Sequence, residues 1–120
     1  MINKAFGSYA RQKREAMVRD AQPGYSVRKL AARIGVEPSY VSKIERGDFA
    51  PPGEDTIIRW SEALGENPDV MLALAGKVSS DLREAITKRP ELFAELIRTL
   101  KNMPDSAVVR IVREVRDGNW

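Results

Sequence analysis

The sequence predicts an all-α fold for this chain of 120 residues. Apolar residues recur three or four positions apart, which is the spacing of one helix face, and no segment alternates as a strand does. Glycines such as Gly35 and Gly65 follow these apolar segments, and prolines such as Pro38 and Pro68 begin the next ones. Because glycine commonly ends a helix and proline suits its first turn, these residues mark helix boundaries.

Helix 1 is expected over about residues 6–19. Its apolar residues Phe6, Ala10, Met17 and Val18 are expected to face the core. A connection that contains the turn signal Pro-Gly then leads to the next helical segment.

Helices 2 and 3 are short and stand close together in the sequence. Ser26 is expected to cap helix 2, and Gly35 ends it because glycine adopts the left-handed conformation at little cost. Pro38 begins helix 3, and Ala31 is small at the point where the two crossing helices would come closest. Two short helices joined by a tight glycine turn are typical of a helix-turn-helix, which places its second helix in the major groove of DNA.

Two further helices, over about residues 54–64 and 68–75, complete the first part of the chain. The composition changes after Gly76. Three more short helices are predicted there, over about residues 81–88, 90–101 and 104–117.

Residues 6–76 resemble the Xre family of helix-turn-helix regulators, which includes the phage Cro proteins and repressors. The residues that carry the resemblance are Leu30-Ala31, Gly35-Val36, the run Ser39-Tyr40-Val41-Ser42-Lys43-Ile44-Glu45-Arg46-Gly47, Pro52 and Ala63-Leu64-Gly65. The resemblance implies a five-helix lambda-repressor-like DNA-binding domain, followed here by about three short C-terminal helices. It also implies a cytoplasmic, sequence-specific regulator of transcription that binds double-stranded DNA. We expect a dimeric repressor of a near-palindromic operator.

Charge is unevenly distributed along the chain. The net charge is only +3, but residues 1–50 hold ten Lys and Arg against five Asp and Glu, whereas residues 51–76 hold one against five. The basic excess therefore accompanies the predicted helix-turn-helix, where DNA phosphates would be met. On its own, the same excess would equally describe a solvated charged face.

Several function classes are disfavoured by what the sequence lacks. It has no cysteine and no histidine, which removes disulfides, thiolate chemistry and the commonest metal ligand and general base. We expect no enzymatic activity, no cofactor and no bound metal. No apolar run approaches the roughly 20 residues of a membrane span, and no signal peptide is expected. An interaction module with a decayed helix-turn-helix is a further alternative, which the intact run over residues 39–47 disfavours.

The start of helix 3 carries the candidates for base contact that the resemblance implies. Carried over by position, they are Glu37, Pro38, Ser39, Ser42 and Lys43. Lys43 can donate to guanine O6 or N7, and Ser39 can donate to or accept from either base type. Pro38 can at most contact a thymine methyl group. Glu37 either accepts from a cytosine amino group or satisfies free N–H groups at the helix start, and both interpretations remain open.

Phosphate contacts are expected from Ser26, Arg28, Lys29, Tyr40 and Arg46. At the start of helix 2, free backbone N–H groups and positive side chains can meet the DNA backbone, which fixes the register without reading sequence. Tyr40 has two interpretations: its hydroxyl reaches a phosphate, or its ring packs between helices.

Glu45 resembles the glutamate that pairs with a helix 1 arginine in the Xre family. Arg14 is the expected partner, and Arg11 is the second choice. Because a partly buried pair of this kind is costly to break on one side only, we expect a structural ion pair.

Residues 77–120 are predicted to form a dimerisation or interaction element, distinct from the DNA-binding domain of residues 1–76. Three short helices can scarcely bury such wide apolar faces among themselves, and unburied faces usually pair with another chain. The residues expected at the dimer contact are Leu92, Phe93, Leu96, Ile97, Leu100, Val108, Ile111, Val112 and Val115. Three alternatives remain open. The helices pack on the protomer's own predicted helix over residues 68–75, they hold a toxin as part of an antitoxin that autoregulates its operon, or they meet a peptidase that inactivates the repressor.

Overall fold

The computed structural model describes residues 4–118, and in this part of the chain the predicted all-α fold is confirmed, with eight helices and no strand. The helices are α1 (Ala5–Arg19), α2 (Val27–Ile34), α3 (Pro38–Arg46), α4 (Glu54–Leu64), α5 (Pro68–Leu74), α6 (Ser80–Lys88), α7 (Pro90–Lys101) and α8 (Asp105–Asp117). They divide into two compact units, with the division between Ser79 and Ser80.

The first unit packs α1 to α5 around one apolar core. In it α3 contacts both α1 and α2, and α4 contacts α2 and α5. The buried apolar residues are Phe6, Ala10, Leu30, Ala31, Ile34, Val41, Ile44, Ile57, Trp60, Ala63, Leu64, Met71 and Leu72. Trp60 and Phe6 meet edge to face, with ring centroids 5.4 Å apart, which is a favoured geometry for aromatic pairs. Because α2 and α3 both contribute to this core, their mutual orientation is set by packing.

Local chemistry sets the ends of α2 and the start of α3. Ser26 Oγ accepts a hydrogen bond from the backbone N–H of Lys29 at 3.2 Å, so the predicted cap is confirmed. Gly35 has φ +87°, in the left-handed region where a side chain would be strained. Pro38 occupies the first turn of α3, where no N–H is required. The tight turn between the two helices therefore follows from residues within and beside it.

Helix α1 departs from the prediction in its last turns. Ala10 is buried, but Met17 is only half-buried and Val18 is 50% exposed, so the prediction that Val18 faces the core is wrong. The inward position one turn after Ala10 belongs to Arg14, whose guanidinium is ion-paired. The apolar core consequently ends at that pair, and the following turns of α1 extend beyond it.

The second unit contains α6, α7 and α8, and none of these helices has a buried residue. Pro104 precedes α8 with an extended backbone (ψ 153°), so it occupies the N-cap position and does not open the helix as predicted. The partly buried apolar residues of α7 and α8 are Phe93, Leu100, Ala107, Val108 and Ile111. The others, which include Leu92 and Val112, remain exposed.

Candidate nucleic-acid interface

The outward face of α3 is defined by what its inward face buries. Val41 and Ile44 are buried in the core, whereas Pro38, Ser39 and Arg46 are exposed. The exposed residues at the start of the helix adjoin the turn from α2. An outward N-terminal end of this kind is the part of a recognition helix that contacts base edges.

The predicted base-contact residues fall into two groups along α3. Glu37, Pro38 and Ser39 are exposed at its start, and Ser42 and Lys43 lie one turn further on, half-buried. Ser42 and Lys43 therefore retain accessible surface but are more constrained by their neighbours than the first group. All five residues lie at the N-cap or within the first six residues of α3, and each retains exposed surface.

Glu37 occupies the N-cap position of α3, but its side chain makes no capping hydrogen bond. The interpretation in which its carboxylate satisfies the free N–H groups of the helix is therefore not realised. Its backbone carbonyl instead accepts from the N–H groups of Tyr40 and Val41, at 3.0 and 3.3 Å. The carboxylate is consequently left available for another donor.

Tyr40 is half-buried against the edge of the core. Its ring lies 6.0 Å from the ring of Phe49, measured between centroids, with the planes tilted by 45°. Burial raises the pKa of its hydroxyl further above neutral pH, and the protonated phenol can donate a hydrogen bond. Ring packing is thus observed, and phosphate contact by the hydroxyl is compatible with it.

The predicted phosphate contacts on α2 cluster at its capped end. Ser26, Arg28 and Lys29 are all exposed there, and the Ser26 hydroxyl caps the helix. On α3, Arg46 Nε donates to Asp48 Oδ2 at 3.0 Å, with both side chains more than half exposed. Because an exposed pair of this type contributes little, Arg46 can exchange the carboxylate for a phosphate at small cost.

A buried ion pair joins α1 to the last turn of α3. Arg14 Nε donates to Glu45 Oε2 at 2.7 Å, and Arg14 Nη2 donates to Glu45 Oε1 at 2.9 Å. The side chains are only 12% and 4% exposed. Hydrogen bonding to Glu45 raises the pKa of Arg14 above its usual value. The second-choice partner, Arg11, instead pairs with Glu15 at 2.9 Å.

Arg11 nevertheless lies near the predicted contact residues. It lines a cavity of about 190 Å³ together with Arg14, Ser42 and Arg46. This cavity adjoins the outward side of α3 and is rich in guanidinium groups. Glu45 also lines it, and each of its three arginines is paired with a carboxylate, so the cavity brings α1 next to α3 without a large excess of charge.

Two residues that matter for this region are absent from the sequence-based predictions. A Cβ added to Gly7 would overlap the main-chain carbonyl oxygen of Ile44, so glycine allows α1 and α3 to approach closely. An isolated glycine inside a helical pattern is a sequence signal for such packing. Phe49, in the loop after α3, is 42% exposed and contacts Tyr40 and Lys43. No sequence signal distinguishes it from an ordinary loop residue.

Among the described residues, none of the helices is both long enough and apolar enough to cross a membrane. Across residues 4–118, no group of three or more acidic residues is arranged to hold a metal ion.

Comparison with known proteins finds a family match for the central part of the chain. The family model HTH_3, described as helix-turn-helix, matches residues 16–71, which extend from the later turns of α1 into α5. No curated protein and no solved structure gives a significant match. The matched residues include all of α2, α3 and α4, and with them every predicted DNA contact. Residues 16–71 therefore form a helix-turn-helix domain of the Xre-like, DNA-binding type, and the predicted resemblance to Xre proteins is confirmed over these residues.

Proposed function

We propose that this protein is a sequence-specific transcriptional repressor that binds a near-palindromic operator as a homodimer. The proposal rests on the exposed N-terminal end of α3, together with the exposed and capped N-terminal end of α2. In this position Ser39, Ser42 and Lys43 are available to base edges while the opposite face of α3 is buried. Binding of the protein to the operator would exclude RNA polymerase from the DNA. We expect a regulator of this kind to act in the cytoplasm and to need no catalytic chemistry and no cofactor.

Base readout is assigned to the five predicted residues of α3 and its N-cap. Lys43 supplies the long donor for guanine, and Ser39 and Ser42 supply short hydroxyl groups. Glu37 is assigned to the amino group of cytosine, because its carboxylate makes no capping hydrogen bond to α3. Pro38 contributes apolar contact only. Because four of these five side chains are short or acidic, sequence-dependent DNA shape is expected to contribute to specificity.

Phosphate binding is assigned to the basic and hydroxyl groups at the start of α2 and along α3. Arg28, Lys29 and the N-terminal N–H groups of α2 meet one strand, and Tyr40 and Arg46 meet the backbone beside α3. The basic excess of residues 1–50 supports this assignment. These contacts position the protein on DNA, and their contribution to affinity falls as salt rises.

Dimerisation is assigned to residues 77–120, and DNA binding to residues 1–76. The support is exposure: Leu92, Leu96, Ile97, Val112 and Val115 are between 45 and 64% exposed. An amphipathic helix pair that exposes so much apolar surface is typical of an interface between chains. Two protomers would then present their α3 helices to successive major grooves, about 34 Å apart.

The dimer is tested by light scattering coupled to size-exclusion chromatography. Leu96→Glu is expected to yield a monomer, because a charge would be buried at the interface. The matched control is Val18→Glu, at a position of similar exposure in the first unit, which is expected to remain dimeric. Monomeric wild-type protein at micromolar concentration would contradict the assignment.

The same exposed face supports a second candidate function, an antitoxin whose C-terminal helices hold a toxin while the helix-turn-helix autoregulates the operon. A repressor that is inactivated by a peptidase at these helices is a variant of the first proposal. The two functions differ in what covers α7 and α8. A toxin that forms a stable complex with wild-type protein but not with Leu96→Glu would favour the antitoxin.

DNA binding is tested by fluorescence anisotropy with labelled DNA from upstream of the protein's own gene. Scrambled DNA is the control, and salt is varied from about 50 to 200 mM. We expect tight binding to the upstream fragment that resists competitor and that footprints to a palindrome. Equal and steeply salt-dependent binding to both DNAs would contradict a sequence-specific regulator.

A further inference from the structure

We propose that Phe49 is a positioning residue for DNA recognition, which holds the Lys43 ammonium group and the Tyr40 ring in place before DNA binds. The inference rests on the proposed function, because Lys43 and Tyr40 are assigned there to base and phosphate contact. The Lys43 Nζ lies 5.2 Å from the centroid of the Phe49 ring, and the Tyr40 ring lies 6.0 Å from it. One side chain of the α3–α4 loop thus contacts two predicted DNA-binding residues.

The exposure of Phe49 separates it from the core. Its side chain is 42% exposed, whereas the buried core residues are at most 7% exposed. A phenylalanine this accessible gains only part of the free energy that full burial of an aromatic ring provides. Its contacts with Lys43 and Tyr40 are therefore its distinctive structural feature.

The contact with Lys43 suits a cation that must remain available to DNA. A ring face attracts an ammonium group but does not neutralise its charge. By contrast, the neighbouring Arg46 is paired with the carboxylate of Asp48 at 3.0 Å. Phe49 therefore orders Lys43 while leaving its full positive charge and its three donors for a guanine.

Ordering matters because a lysine side chain has many rotamers. A free lysine loses this freedom when it binds a base, and the loss lowers affinity. If the ring restrains Lys43 in the unbound protein, part of that cost has already been met during folding. Phe49 should then increase both the affinity for DNA and the discrimination at the base pair that Lys43 reads.

The test compares Phe49→Leu, which keeps apolar bulk but removes the ring, with Phe49→Trp, which keeps a ring face. The probe is a duplex that the wild-type protein selects from a random-sequence library, together with variants at each base pair. Phe49→Leu is expected to bind about two- to fivefold more weakly, the range that an exposed cation–π contact of about 0.5–1 kcal/mol corresponds to. Phe49→Trp is expected to bind like wild type.

A double-mutant cycle distinguishes positioning from direct contact. If Phe49 acts through Lys43, then Lys43→Ala should cost less affinity in the Phe49→Leu background than in wild type. Additive effects would overturn the positioning of Lys43 by Phe49, because they would mean that Phe49 contacts DNA itself, acts through Tyr40 alone or has no part in recognition. An equal loss of affinity for every duplex would overturn it as well, since Lys43 is assigned to a single base pair.

A measurement on the free protein tests the restraint without DNA. The Hε protons of Lys43 should show an upfield ring-current shift in the NMR spectra of wild type and Phe49→Trp, and no such shift in Phe49→Leu. An unshifted Lys43 signal in the wild type would overturn the proposal. If the wild-type protein selects no sequence from the library, the proposed function is overturned as well. If the wild-type protein binds selectively and Phe49→Leu binds with the same affinity and selectivity, only the role of Phe49 is overturned.

Discussion

Replacing Glu45 with alanine tests whether the ion pair between α1 and α3 stabilises the fold or serves DNA recognition. The substitution removes the carboxylate that accepts from two nitrogens of Arg14, at 2.7 and 2.9 Å. The Arg14 side chain, which is 12% exposed in the wild type, would keep the carbonyl oxygen of Tyr25, 3.3 Å from Nη1, as an acceptor. We therefore expect a loss of stability that precedes any change in specificity.

The magnitude follows from how far the pair is removed from water. Breaking a fully buried pair on one side costs about 3–5 kcal/mol. Because Arg14 keeps some contact with solvent and one carbonyl partner, we expect a value of about 3 kcal/mol, at the lower end of that range. For a domain of this size, such a loss lowers the melting temperature by roughly 12–24 °C.

Thermal melting followed by circular dichroism measures this change, and DNA anisotropy is recorded at a temperature where both proteins are folded. The matched control is Glu15→Ala, which breaks the exposed pair with Arg11 on the same helix. That pair should contribute under about 0.5 kcal/mol, so the control should melt close to wild type. An unchanged midpoint for Glu45→Ala together with lost DNA binding would refute the structural role.

Two further predictions concern helix packing and DNA contact. Gly7→Ala should lower the free energy of unfolding by about 1–3 kcal/mol in urea titrations, since overpacking against the α3 backbone outweighs the better helix propensity of alanine. Gly53→Ala is its control, because an added Cβ there meets nothing within 4 Å, and equal stability of the two variants would contradict the close approach. Lys43→Ala should cost about 1–3 kcal/mol at one base pair of a selected duplex, whereas Arg28→Ala should weaken all sequences similarly and reduce the salt slope by about one. Wild-type binding by both variants in anisotropy titrations would contradict the docking of α3 in the major groove.

The sequence by itself determined the features that depend on neighbouring residues. Ser26 caps α2 because its hydroxyl reaches an N–H three residues away. Gly35 forms the turn because it tolerates φ +87° without a side-chain clash. Apolar spacing along α2 and α3 likewise identifies their inward faces. Such short-range signals are sufficient to identify the helix-turn-helix and to assign the predicted DNA contacts to α2 and α3.

Apart from the Arg14–Glu45 pair, which the family resemblance implied, only the tertiary structure decided the features that join distant parts of the chain. Val18 has the apolar character of a core residue, but Arg14 takes the inward position before it and pairs with Glu45, 31 residues further along. Gly7 is required by a carbonyl group of α3 that sequence spacing does not bring near it. The contact of Phe49 with Lys43 depends on how the loop after α3 folds back on the helix. Backbone propensity acts over a few residues, whereas these contacts depend on how the helices and the loop pack in three dimensions.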